Sequence, residues 1–187
     1  MILESATWRA SADWGSKLGY GSVELADVNR RAIGLLEVIR DQFDSDQSQV
    51  VISGCVGPRG DGYSPSNRMS EVAAEAYHAP QIEVLGDTSA DLVTAITMNY
   101  AEEAIGIARA AERARVPVVI SFTVETNGRL PTGQTLRATL ERVDFATSGY
   151  PAYYMKTPRQ EGGVGLQRRK CASASLEFVS HRLEPST

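Results

Sequence analysis

The stretch "VPVVISFTV", from Val116 to Val124, decides the fold class of this 187-residue chain. It is almost entirely apolar and rich in β-branched side chains, as strands covered on both faces of a parallel sheet are. The run "VVISGCV", from Val50 to Val56, has the same character. Neither run alternates between apolar and polar residues. Together they predict a parallel sheet that is buried on both faces.

Three further runs and four helical patterns surround these two segments. The other predicted strands are "ILESAT" at Ile2 to Thr7, "DLVTAIT" at Asp91 to Thr97, and "PAYYM" at Pro151 to Met155. The predicted helices run from Ser22, as N-cap, to Phe43, from Ser70 to Leu85, from Ala101 to Arg115, and from Thr135 to Thr147. We expect Pro80 to kink or split the second helix. The alternation of strand and helix indicates right-handed βαβ units.

The first helix carries one apolar stripe. Its members recur at steps of three and four residues, which is the helical period, and they are Leu25, Val28, Ala32, Leu35, Leu36, Ile39 and Phe43.

Two closures of the sheet fit this pattern, namely an open doubly wound sheet and a (β/α)8 barrel. A closed barrel typically has eight strands in about 250 residues. Five predicted strands in 187 residues would therefore make an incomplete barrel.

Composition narrows the class of protein and its partners. With 42% hydrophobic and 22% charged residues, the chain is typical of one globular domain. A net charge of −4 and a pI near 5.3 argue against nucleic acid or an anionic membrane as the partner. No run reaches 18 apolar residues and the start lacks the features of a signal peptide, so we expect a cytoplasmic protein. Cys55 and Cys171 lie too far apart for a local zinc knuckle, and no disulfide is expected.

Active sites of parallel α/β folds lie at the carboxyl ends of the strands. The loop "GCVGPRGDGYSP" after the second strand is either a phosphate cradle or a substrate-lining loop or turn, and it matches no standard phosphate-binding motif. Glu125 after the fourth strand either binds an ammonium group or acts as a base, or it lies in a solvated turn with Asn127 and Gly128. Trp8 is expected to pack more than to bind. His78 is expected on a helix flank.

Six stretches of the chain, in this order, resemble the homocysteine S-methyltransferase family. They are "NRRAIGLLEVIRD", "VVISGCVGPRGDGY", "MSEVAAEAYHAPQIEVL", "EEAIGIARAA", "PVVISFTVETNGRLPTG" and "PAYYM", within residues 2 to 155. The resemblance implies a (β/α)8 barrel, of which residues 1–155 would form strands two to six and residues 156–187 a divergent tail. It implies homocysteine and a methyl donor as substrates, and a zinc ion held by three cysteines that activates the homocysteine sulfur.

The resemblance also suggests roles for residues at the strand ends. Thr7 and Trp8 would form a pocket wall, and Gly57 and Tyr63 would contact the donor side. The residues expected near homocysteine are Ser121, Thr123 and Glu125. Thr97 is expected to contact substrate at the third strand end, where Ile96 and Thr97 replace a glutamate that many relatives carry there.

The zinc ligands of the family are not found in this chain. After "PAYYM", relatives continue into an "INCAHP"-like turn, whereas this chain has Lys156, Thr157 and Pro158, with proline at the cysteine position. Cys55 and Cys171 match none of the family's three ligands. We therefore expect the chain to be inactive alone and to self-associate through open barrel edges. Two alternatives are a non-catalytic fragment or pseudoenzyme that binds a small amino acid or partner chain, and an unrelated open-sheet enzyme using Glu125 or Asp61 as base.

Overall fold

The computed structural model describes residues 1–65, 68–158 and the strand at 177–179. The strands are β1 (Ile2–Glu4), β2 (Val51–Val56), β3 (Leu92–Met98), β4 (Val118–Val124), β5 (Tyr153–Pro158) and β6 (Glu177–Val179). The helices are α1 (Ala12–Ser16), α2 (Ser22–Phe43), α3 (Glu71–Gly86), α4 (Ala101–Ala114) and α5 (Leu136–Thr147). None of the helices in this described part is long and apolar enough to cross a membrane.

The six strands form one curled sheet in the order β1-β2-β3-β4-β5-β6. The first five are parallel, and β6 pairs antiparallel with β5. Within the described residues β1 and β6 are the two edges and do not pair, so this sheet is a half-barrel. The predicted parallel α/β fold of about five barrel strands is confirmed, whereas β6 was not predicted.

The main core lies between the outer face of the sheet and the helices. All seven residues of β4 are buried, because helices cover one face of this strand and the curl of the sheet covers the other. Ile120 and Phe122 of β4 belong to one apolar cluster with Ile105 and Ile107 of α4. Helices α3 and α4 approach so closely that a Cβ atom on Gly106 would lie 2.5 Å from the backbone nitrogen of Glu75.

The inner face of the sheet carries both polar and apolar side chains. The strand register places Cys55, Thr94, Val119 and Tyr153 side by side across β2 to β5. Hydroxyl groups on this face bond to each other, since Thr94 Oγ1 lies 2.7 Å from the Oγ atom of Ser53. Burial of these side chains is therefore matched by hydrogen bonds, as buried polar groups require.

Helix ends were predicted to within a few residues. The N-cap of α2 is Gly21 rather than Ser22, and the Gly21 amide donates to Glu24 Oε2 at 3.0 Å. Helix α3 begins after Ser70, as predicted, and Ser70 is its N-cap, since its hydroxyl accepts from the Ala73 amide. Pro80 does not split α3, which continues through it to Gly86.

The structure describes only part of the predicted tail, residues 156–187. Residues 156–158 complete β5, and most of the predicted tail lies outside the described residues. The division into residues 1–155 and 156–187 therefore stays a prediction.

Candidate functional site

The loop that follows β2, residues 57–65, folds across the carboxyl ends of β3 and β4. Its Asp61 carbonyl accepts a hydrogen bond from Asn99 Nδ2 at 3.0 Å. Its Gly62 carbonyl accepts from Thr123 Oγ1 at 3.1 Å. The loop therefore covers the edge of the sheet where the site of a parallel barrel is expected.

Trp8, Gly57 and Thr97 lie together beneath this loop. The indole Nε1 of Trp8 donates to Thr97 Oγ1 at 3.3 Å and to the Ile96 carbonyl at 3.4 Å. A Cβ atom on Gly57 would lie 2.4 Å from the Trp8 carbonyl oxygen and 2.8 Å from the indole ring, so only glycine fits there. The Trp8 ring thus packs against Gly57 and bonds to Thr97, and the structure brings three of the predicted residues into contact.

Thr97 has an unusual backbone conformation. Its φ angle is +63°, which is rare for a β-branched residue, and it lies at a register shift between β3 and β4. Its hydroxyl donates to the Ile96 carbonyl at 2.5 Å and accepts from Trp8. Thr97 therefore joins the first and third strand ends.

Thr7 joins the first two strand ends. Its buried hydroxyl donates to the Cys55 carbonyl at 2.6 Å and lies 2.7 Å from Ser5 Oγ. The Ser5 hydroxyl in turn accepts from the Cys55 amide at 2.9 Å. The contacts of the Thr7 hydroxyl are therefore structural ones between β1 and β2.

The predicted residues of β4 form hydrogen bonds with two different neighbouring segments. Ser121 Oγ lies 2.9 Å from Thr157 Oγ1 of β5, whereas Thr123 bonds to the loop after β2. Glu125 is half-buried at the start of a tight turn, where its amide donates to the Arg129 carbonyl at 2.7 Å. Asn127 Oδ1 accepts from the Arg129 amide at 3.0 Å, so the predicted turn is present.

The loop after β2 forms a turn that is held by hydrogen bonds between its own residues. Asp61 Oδ1 accepts from the amides of Tyr63 and Ser64 at 2.7 and 3.0 Å. The Tyr63 side chain is exposed. Because these amides already have an acidic partner within the loop, they do not form a cradle for phosphate.

Sequence reasoning missed the buried anchor of this loop. Glu103 Oε1, on α4, accepts from the Arg59 amide at 2.6 Å and lies 3.0 Å from His78 Nε2 on α3. Both side chains are fully buried. His78 is thus on a helix, as predicted, but it is buried against α4 rather than on a flank, and nothing local in the sequence distinguishes Glu103 from the adjacent Glu102.

Asn99 is a strand-end residue for which the sequence predicted a position but no role. It is buried at the end of β3, and its Oδ1 atom has no hydrogen-bond partner among the described residues. The structure thus places an unpaired acceptor directly beneath the loop.

The side chains present do not fit a zinc centre. Among the described residues, no three or more His, Cys, Asp or Glu side chains lie close enough together to hold a metal ion. Cys55 is the one cysteine in that part of the chain, and burial, together with the charge of Glu4, raises the pKa of its thiol to about 12. A zinc ligand has to be a thiolate, which this environment disfavours. Pro158, where relatives are expected to carry a cysteine, has no donor atom in its side chain, and Cys171 lies outside the described residues.

Comparison with known proteins identifies the family. The homocysteine S-methyltransferase sequence profile matches residues 1–153. The chain belongs to the homocysteine S-methyltransferase family. The family resemblance inferred from the six sequence stretches is thereby confirmed.

Solved structures of this family share the fold. The metallated form of the homocysteine methyltransferase MmuM from Escherichia coli has a TM-score of 0.70 and 23% identity, over 80% of this chain and 54% of that one. The oxidized form has a TM-score of 0.70 and 23% identity, over 80% and 53%. The apo form has a TM-score of 0.62 and 24% identity, over 80% and 52%. The chain thus spans about half the length of these relatives. No curated protein sequence matches it significantly.

Proposed function

We propose that this family member retains the strand-end scaffold for homocysteine and a methyl donor, and that the 187-residue polypeptide does not transfer a methyl group by itself. The proposal rests on which side chains are available to bind a zinc ion. The family reaction, as the resemblance implies, uses a thiolate-held zinc, and the described residues provide no such group of ligands. No step of that reaction is therefore assigned to this chain.

The proposed binding roles follow from position at the strand ends. Thr7, Trp8 and Thr97 would form one wall, and Gly57 would let the loop approach it. Residues Ser121, Thr123 and Glu125 would border the homocysteine, and the exposed ring of Tyr63 would face the donor. These roles are proposals that rest on the family's strand-end site and on the contacts described above.

A methyl-transfer assay tests the proposal. The purified chain is incubated with homocysteine, zinc and either S-methylmethionine or betaine, and methionine is quantified. We expect no methionine above the rate without protein. Zinc-dependent formation of methionine at a rate proportional to the chain concentration would contradict it.

A second candidate is a non-catalytic binding protein for a small amino acid. The unpaired buried acceptor Asn99 Oδ1 favours it, because an ammonium group is a donor that such an acceptor can bind. Calorimetric titration with homocysteine, with and without zinc, distinguishes the two readings. Binding that is independent of zinc and weakened by Asn99→Leu supports this candidate, whereas binding that requires zinc excludes it.

We also propose that the chain is cytoplasmic and that it self-associates through its open sheet edges. An edge strand such as β1 leaves backbone groups without partners on its open side, and such edges readily pair with another chain.

A further inference from the structure

Helix α1 lies in the segment that follows β1 and is too short to be stable by itself. Isolated helices of fewer than about 12 residues rarely form in water, and α1 has five residues. Its N-cap, Ser11, gives no side-chain bond to a helix amide, and the Ser11 hydroxyl lies 3.2 Å from the hydroxyl of Tyr77 on α3 instead. The order of α1 therefore depends on contacts with neighbouring elements.

Arg59, in the loop after β2, supplies two of these contacts. Its Nε atom donates to Asp13 Oδ2 of α1 at 2.7 Å. Its guanidinium carbon lies 4.7 Å from the centre of the Tyr77 ring, whose hydroxyl contacts Ser11. A charge-assisted hydrogen bond and a cation–π contact thus join the loop after β2 to α1 and to the residue that precedes it.

The backbone of Arg59 is held separately from its side chain. The Arg59 amide donates at 2.6 Å to Glu103 Oε1, which is fully buried on α4. Two residues earlier, Gly57 packs directly against Trp8. The Arg59 side chain therefore extends from an anchored backbone, and a change confined to that side chain should leave the loop after β2 in place.

Helix α1 is also connected to Trp8, which is proposed above to form part of the pocket wall. The guanidinium carbon of Arg9 lies 4.8 Å from the centre of the Trp8 ring and 4.1 Å from that of Trp14 on α1. The buried Gly15 packs on α2, since a Cβ atom there would lie 2.7 Å from Leu25 Cδ2. Opening of α1 would therefore separate Arg9 from Trp14 and change the surroundings of Trp8.

We propose that Arg59 is a positioning residue that keeps α1 folded through Asp13 and Tyr77, so that the segment after β1 and the loop after β2 become ordered together around Trp8. Opening of either segment would then loosen the other. Only the wall role of Trp8 rests on the proposed function. Because the coupling can be measured on the chain without ligand, its failure would be distinguishable from a failure of the methyl-transfer proposal.

Hydrogen exchange at the Gly15 amide tests the coupling. This amide donates to the Ser11 carbonyl at 2.8 Å within α1, so it exchanges when α1 opens. We expect Arg59→Gln to speed its exchange at least about threefold, the effect of losing an exposed ion pair and a cation–π contact. Asp13→Ala should also speed it. The double variant should show less than the summed effect, because both changes remove the same ion pair.

A matched control is Arg137→Gln, which removes another exposed ion pair, with Glu141 on α5 at 2.8 Å, and should leave Gly15 exchange unchanged. The amide of Ile120 in the buried strand β4 should exchange equally slowly in all variants, which shows that they stay folded. Unchanged Gly15 exchange in Arg59→Gln, faster exchange confined to residues 57–65, or fully additive effects in the double variant would overturn the coupling.

Fluorescence quenching by acrylamide tests the positioning of Trp8. Trp8 and Trp14 are the only two tryptophans of the chain, so its emission reports on α1 and on the residue next to it at the strand end. We expect Arg59→Gln to increase quenching and Arg137→Gln to leave it unchanged. Equal quenching of Arg59→Gln and the unmodified chain would overturn the role assigned to Arg59.

Discussion

Gly57 and Trp8 illustrate how single residues position the candidate site. Their positions after two strands predicted that both residues lie at the same edge of the sheet, since the ends of parallel strands converge. It did not predict that Gly57 acts as a spacer against the Trp8 backbone and ring, because that depends on the path of the loop after β2. The hydrogen bonds of the Thr97 hydroxyl were likewise not predictable, because they follow from the irregular backbone at that residue.

Replacing Gly57 by alanine should destabilise the protein strongly. The added Cβ would lie 2.4 Å from a backbone oxygen that has little room to move, so we expect a loss of about 2–4 kcal/mol, as for overpacking and backbone shifts. Chemical denaturation measures this. The matched control is Gly34→Ala in α2, where the nearest atom is 3.7 Å away and helix propensity should add about 0.5–1 kcal/mol of stability. Equal effects of both changes would contradict the proposed contact.

Cys55 should be unreactive in the native protein. Its thiol is buried and its pKa is raised to about 12, so the thiolate fraction at pH 8 is on the order of 10⁻⁴. In a Cys171→Ser background, we expect a thiol reagent to label Cys55 at least about 100-fold more slowly than in urea, with the pKa near 12 as the reason. Rapid labelling of the folded protein at neutral pH would show that the inner face of the sheet is open at this position.

At the scale of elements, the strands were the most predictable part of the fold. Runs such as Val116–Val124 are apolar on both sides because both faces of the sheet are covered, and this shows directly in sequence. That several apolar residues of the α2 stripe remain exposed was not predictable, because periodicity shows that one side of a helix is apolar but not what covers it. The anchor formed by Glu103 and His78 depends on side chains 25 residues apart, and no local pattern reports it.

The Glu103 anchor should hold the loop after β2 in place. Glu103→Ala would leave the Arg59 amide and the His78 ring without their buried partner, and each such loss costs about 1–3 kcal/mol. We expect faster hydrogen exchange at the Arg59 amide and faster tryptic cleavage after Arg59. Glu112→Ala, at an exposed position of the same helix, is the control and should change neither rate. Unchanged exchange in Glu103→Ala would contradict the anchoring role.

Glu102 should contribute pH-dependent stability between α4 and α5. Partial burial alone would raise its pKa, but hydrogen bonds from its own amide, Arg142 and Arg68 outweigh burial and lower the pKa. The stabilisation is therefore present above the ordinary glutamate pKa and is lost as the pH falls through the lowered one. We expect Glu102→Gln to cost up to about 1 kcal/mol at pH 7, because these groups are partly exposed.

Urea denaturation at pH 7 and pH 3 checks this prediction. The difference in the free energy of unfolding between Glu102→Gln and the unmodified chain should be smaller at pH 3 than at pH 7. The exposed pair of Arg137 and Glu141 provides the control, since Glu141→Gln should have little effect at either pH. A difference in unfolding free energy that grows as the pH falls would contradict the lowered pKa of Glu102.

At the scale of the whole molecule, this chain combines the fold of its family with described side chains that do not gather into a metal site. Family membership and the half-barrel were predicted from motif order and strand pattern, and both are confirmed. The closure of the sheet could not be decided from local pattern, since the same βαβ units build open sheets and barrels. Proline at position 158, where the family resemblance leads us to expect a cysteine, is visible in the sequence, and the structure adds that the described carboxylates, His78 and Cys55 do not gather into an alternative metal site.

The most direct test of this account is the zinc content of the purified 187-residue chain after dialysis against a weak chelator, measured by mass spectrometry with and without homocysteine. We predict well under one equivalent of zinc per chain in both conditions. One firmly held equivalent, particularly if homocysteine increases its retention, would contradict the proposal that the 187-residue chain does not assemble a zinc centre from its described side chains.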